Sequence, residues 1–122
     1  MDFKPFEIYR DDYLKVWCMD DKGGGGAHHV YNIYHVDADV ETDQAYGIIS
    51  FQNGPIGENG VNGISNEVLL AIIKHRLCCF AHGPFPSTFN NGALSGVTFA
   101  LQSLEARTND RKERGVEGKL EK

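Results

Sequence analysis

A chain of 122 residues with 41% apolar and 24% charged side chains has the make-up of one soluble folded domain, or of one domain with two subparts, long enough for a modest core and unlike a disordered tail. No apolar run approaches the roughly 18 residues of a membrane span, and the N-terminus lacks a basic-then-apolar leader, so a cytosolic protein is expected. The net charge of −5 argues against a general nucleic-acid binder, which would carry a basic face.

The acidic excess is uneven. Residues 1–54 hold 4 Lys/Arg and 10 Asp/Glu, whereas residues 55–122 hold 8 and 7, with the basic residues densest at Arg107–Arg114. A local positive patch of this kind suits a small anion better than a polymer.

In chain order, the first elements are strands. Tyr13–Met19 places Leu14, Val16 and Cys18 on one face and Tyr13, Lys15 and Trp17 on the other. His28–Val36 follows with Val30, Asn32, Tyr34 and Val36 sharing a face, after a glycine-rich connector longer than a tight hairpin needs. Ala45–Phe51 is the third strand, beyond an acidic loop. Three strands form a poor core alone, so this sheet needs a helix or another subunit on its face.

Residues 54–64 are rich in Gly and Asn, with Pro55, and read as an ordered linker of tight turns. Ser65 is the expected N-cap of a helix bearing Leu69, Ile73, Leu77 and Phe80 on one side. Gly83 suits a C′ position, and Pro84 and Pro86 end the helix. A second helix starts near Ser87–Asn91 and carries Leu94, Val97, Leu101, Leu104 and Thr108 at 3-4 spacing. The expected fold is therefore α+β: a small antiparallel β part (1–53), the linker (54–64), an antiparallel two-helix hairpin (65–115) and a tail (116–122). Apolar residues off the seam, Leu70 and Ile72 among them, favour assembly as a homo-oligomer.

Four groups of residues carry candidate chemistry. Arg107, Arg111 and Arg114 fall on one helical face at i, i+4 and i+7, where guanidinium forks could meet phosphate oxygens. The same arginines would equally complement the helix dipole, with Asp110 pairing to Arg107 or Arg114. Asn90 and Asn91 either cap the second helix or recognise a base or ribose. Phe80, Phe85 and Phe89 gather near the corner, as core or as a stacking surface. The glycine run 23–26 is a mobile turn or a phosphate cradle, but no P-loop sequence is present. His28, His29, His35 and the three cysteines show no chelating or disulfide spacing, and no catalytic motif occurs. No cofactor and no metal are expected.

The stretches "FQNGPIGENGVNGISNEVLLAIIKHRLCCF", "GPF" and "RTNDRKERGVEG", spanning about Phe51–Gly118, together resemble the helical hairpin of phage Thoeris anti-defence proteins of the first type. That hairpin is also similar to an anti-CBASS cyclic-oligonucleotide sponge, and the N-terminal β part points to the Thoeris type. The resemblance implies a protein that sequesters glyco-cyclic ADP-ribose signals, and in some members cyclic di- or trinucleotides, without cleaving them. It acts in the host cytoplasm during infection. It implies a homo-oligomer, a hexamer in described members, with pockets between subunits and neither nucleic-acid polymer nor membrane as partner. Carried over by position, Phe80 packs on a ring, Asn90 (with Asn91 as the rival register) bonds a base or ribose, and Arg107 meets phosphate. Thr108, Arg111 and Arg114 extend that anion wall, and His28 adds a contact from the β part. The competing readings are a cyclic-nucleotide hydrolase and a hairpin that occupies a host protein.

Overall fold

The computed structural model describes residues 2–119. The chain divides between Ile64 and Ser65 into two compact units, a β unit followed by a helical unit.

The β unit is a four-stranded antiparallel meander of β1 (Phe6–Arg10), β2 (Leu14–Cys18), β3 (Val30–His35) and β4 (Gly47–Ser50), in that spatial order. The sequence reading finds β2, β3 and β4 but not β1. Two features hide it. All five of its residues are exposed, so no inside–outside alternation marks it. The register also slips: Glu7 pairs with Trp17 and Tyr9 with Val16, leaving Ile8 as an extra residue. A bulge of this kind breaks the two-residue period.

The β1–β2 turn is organised by Asp11, whose carboxylate accepts the N–H groups of Tyr13 and Leu14, each at 2.8 Å. Those two bonds hold its carboxyl below the usual range. Across β2 and β3, Lys15 pairs with Tyr34. Tyr34 is 3% exposed, and Asn32 on the same face donates to its hydroxyl at 3.0 Å. Lys15 is buried beside it and donates to the carbonyl of Ala38 at 2.6 Å, so an ammonium at a buried position is hydrogen-bonded. Apart from Cys18 and Tyr34, no apolar side chain among the described residues is fully buried.

After β4 the chain closes a hydrogen-bonded loop. Gln52 N–H donates to Ile64 O and Ile64 N–H to Ser50 O. The Gln52 side-chain amide donates to the carbonyls of Gly54 and Gly60, and Asn62 exchanges bonds with the backbone of Asn53. A single helical turn, α1 (Ile56–Asn59), lies inside it. Glycine is required at 63, where a Cβ would collide with the backbone carbonyl of Phe51.

The helical unit is α2 (Asn66–Ala81) packed on α3 (Thr88–Glu113). Ser65 caps α2 by accepting the N–H of Val68, as expected. Gly83 takes the C′ position as expected, without a positive φ. His82 is the C-cap, and what restricts residue 83 is space, since a Cβ there would stand 3.1 Å from Cys79 O. The half-buried side of α3 carries Leu94, Val97, Leu101, Leu104 and Thr108 as the spacing predicts. On α2 the half-buried side is Leu69, Leu70, Lys74, Leu77, Cys78 and Ala81; Ile73 and Phe80, expected on the seam, are exposed. No apolar side chain of either helix is fully buried.

Candidate ligand-binding surface

The helical corner gathers the aromatic and amide groups. Ser87 is the N-cap of α3, its hydroxyl accepting the N–H groups of Phe89 and Asn90. The asparagine side chains are therefore not the caps. Asn90 is half-buried and Asn91 exposed in the first turn of α3. Phe80 lies in the last turn of α2 with the Arg76 guanidinium 5.6 Å from its ring centre, a contact worth about 0.5–1 kcal/mol at an exposed site. Phe85 and Phe89 are 84% and 88% exposed, so the chain's own core does not account for them.

At the other end of α3 the three arginines, read from the sequence as one face, divide into three roles. Arg111 is 9% exposed. Its Nη2 donates to Val116 O at 2.9 Å and Lys119 O at 3.0 Å, and its Nε lies 3.4 Å from Glu117 Oε2. It clamps the chain that turns back after the helix. That turn is a Schellman end: Gly115 has φ +74°, Gly115 N–H donates to Lys112 O, and Val116 N–H donates to Arg111 O. Arg114 pairs in the open with Asp110 at 3.0 Å. Arg107 is exposed, and its guanidinium makes no hydrogen bond or ion pair among the described residues. Thr108 is half-buried beside it. Of the expected tail, residues 116–119 belong to this turn, and residues 120–122 lie outside the described residues.

The two groups do not meet within one chain. From Asn90 to Arg107 is 17 residues of continuous helix, about 25 Å at 1.5 Å per residue. Phe80, Asn90 and Asn91 stand in the helix turns that flank the corner, and Arg107, Thr108 and the other arginines stand toward the far end of α3.

His28 belongs to the β unit. Its Nδ1 is 2.6 Å from Asp20 O and its ring lies against Phe3 and Phe6. The glycine run is a turn at Gly24–Gly26 whose N–H groups are mostly engaged: Gly23 donates to Ala27 O, Gly26 to Gly23 O and Gly24 to the side chain of Asn53. The phosphate-cradle reading thereby loses most of its donors. Spacing along the chain finds no chelating set, yet the fold assembles one: ligand atoms of Cys18, Asp20 and His28 lie within 4.8 Å of one another. Pairing of β2 with β3 closes the gap, and the only trace in the sequence is the Cys-x-Asp step returning to a histidine across a glycine turn. Burial raises the Cys18 thiol's pKa. Burial also pushes the Asp20 carboxyl up, but the N–H groups of Val30 and His29 outweigh it and hold it below the usual range.

The fold and this surface define a class: small α+β proteins built from a meander sheet and a helical hairpin with an aromatic–amide corner and an arginine-bearing end. No family model matches the chain. Over 74 residues it is 42% identical to Thoeris anti-defense 1 of Bacillus phage SBSphiJ7, covering 61% of this chain. The chain spans about half (52%) of that relative's length. This similarity supports assignment of the chain to the first Thoeris anti-defence type, as the hairpin motifs imply.

Proposed function

We propose that this protein is a phage anti-defence sponge that binds glyco-cyclic ADP-ribose inside the infected host cell, without cleaving it, and so keeps the Thoeris effector inactive. The 42% identity to a named Thoeris anti-defence protein carries this reading. The hairpin's resemblance to anti-CBASS sponges extends it to cyclic di- and trinucleotides. No helix among the described residues is long and apolar enough to cross a membrane.

In this reading Arg107 meets a phosphate through charge-assisted bonds, Phe80 packs on a ring, and Asn90 or Asn91 reads a base or ribose. A ring about the size of a dinucleotide cannot span the roughly 25 Å between those groups in one chain. The pocket is therefore composite: the corner of one hairpin and the arginine end of another face the same ligand in a homo-oligomer, a hexamer by analogy with the resemblance. Arg111 and Arg114, held by their own chain, shape the wall and add positive potential. His28 is the ligand contact that the resemblance assigns to the β unit.

The test is thermal melting with glyco-cyclic ADP-ribose isomers, cyclic dinucleotides and cyclic trinucleotides, repeated with Arg107→Ala. At a hundredfold its dissociation constant a ligand adds about 2.7 kcal/mol. A shift that Arg107→Ala abolishes, with intact ligand recovered on denaturation, supports the sponge; new products in solution would establish a hydrolase instead. A second reading is favoured by the exposure of Phe85 and Phe89: a hairpin that occupies a host protein. It stands if no nucleotide moves the midpoint.

A further inference from the structure

We propose that Cys18, Asp20 and His28 form a binding site for a thiolate-preferring divalent cation, zinc being the best fit. The site lies within the β unit and draws on chemistry that the sponge reading does not use, apart from the contact that reading lends to His28.

The donor set comes first. One sulfur, one carboxylate oxygen and one imidazole nitrogen lie within 4.8 Å of one another. Neighbouring ligand atoms around a tetrahedral zinc ion stand about 3.3–3.8 Å apart, so side-chain rotations of about 1 Å would gather them. Sulfur and nitrogen select zinc-like ions over calcium or magnesium, which prefer all-oxygen shells. Three protein ligands leave one position for solvent.

The groups that orient these ligands are already in place. A carbonyl oxygen only accepts, so the 2.6 Å contact from His28 Nδ1 to Asp20 O puts the ring proton on Nδ1. In the neutral ring Nε2 then carries the lone pair, and the Cys18 thiol donates to the same Asp20 carbonyl at 3.5 Å, so one backbone oxygen holds both side chains. The Asp20 carboxylate is aimed by the N–H groups of His29 and Val30, at 2.9 Å each to Oδ1. Cys18 is 1% exposed, and Phe3 and Phe6 wall the histidine ring.

A second observation concerns the same carboxylate. His29 is buried, and its Nε2 is 3.2 Å from Gly24 O, which turns its Nδ1 toward the carboxylate. That Nδ1 has no hydrogen-bond partner, and it stands 3.6 Å from Asp20 Oδ2. On binding, the Cys18 S–H bond breaks, the proton leaves to solvent and the sulfur's electron pair passes to the metal, so uptake releases one proton.

Metal-stripped full-length protein would be titrated with cobalt(II), whose thiolate complexes absorb in the near ultraviolet and, when tetrahedral, strongly in the visible. The expected result is one cobalt per chain with both bands, displaced by zinc. Cys18→Ser should abolish the thiolate band, and His28→Gln should weaken binding about tenfold or more. The Cys78→Ser/Cys79→Ser double variant should bind as the parent does. If circular dichroism shows Cys18→Ser unfolded, the His28→Gln titration decides. Absence of a thiolate band in the parent overturns the proposal, as does undiminished binding in His28→Gln or a band lost with Cys78 and Cys79.

Discussion

Arg107, Arg111 and Arg114 share a spacing and a chemistry, yet their surroundings separate them. Arg111 is fastened to two carbonyls and a carboxylate of its own chain. Replacing it with alanine removes charge-assisted bonds at a buried position, and a loss of about 1.5–3 kcal/mol is expected in urea unfolding of the ligand-free protein. Arg107→Ala should leave that unfolding curve within about 0.5 kcal/mol of the parent while removing the ligand-induced rise in melting temperature. The opposite pattern would locate the anion contact at Arg111 instead. Asp11 is a second residue whose effect is readable. Its folded-state pKa is depressed by the N–H groups of Leu14 and Tyr13. Its contribution is thus present above the unfolded carboxylate pKa and is lost as pH falls through the lower folded value. Asp11→Asn should flatten that part of the acid limb of a stability–pH curve, and a curve identical to the parent's would remove Asp11 from the account.

At the scale of elements, the loop from Phe51 to Ile64 shows how turn chemistry becomes architecture. Glycine and asparagine abundance marks it as turns. Only the fold discloses that Gln52 and Asn62 stitch it shut and that residue 63 passes against the backbone of Phe51. Gly63→Ala forces that backbone to move, and a destabilisation of about 1–3 kcal/mol is expected, measured as a lowered denaturation midpoint with unchanged slope. The strand β1 is the complementary case. Its five exposed residues and its bulge leave no periodic trace, so the strand is legible only through its pairing with β2.

At the scale of the molecule, the described chain leaves the helical unit without one fully buried apolar side chain. Val68, Ile72, Phe89 and Phe99 stay exposed along α2 and α3. Burying one such side chain contributes about 1.5–3 kcal/mol, so an association that covers them would be stabilised by that burial. The composite pocket of the sponge reading needs the same association. Sedimentation equilibrium should give a mass several times that of one chain, and Phe89→Ser with Phe99→Ser should lower it. A parent that sediments as a monomer would remove the inter-chain pocket, and with it the joint action of Phe80 and Arg107.

What the sequence by itself determined was local. Three of the four strands, the Ser65 cap, the helical hairpin and the end of α3 at Gly115 follow from side-chain period, capping oxygen and the conformational freedom of glycine, all of which act over a few residues. The motifs of the hairpin also suffice to imply the Thoeris anti-defence type. The tertiary structure decided which groups are engaged and which stand near one another. It set Arg107 apart from Arg111, exposed Phe85 and Phe89, and placed Asn90 about 25 Å from Arg107. It also drew His28 to Cys18 and Asp20 across paired strands. Periodicity reports the face a residue occupies; a partner far along the chain is chosen by strand register and backbone path, which no local pattern encodes.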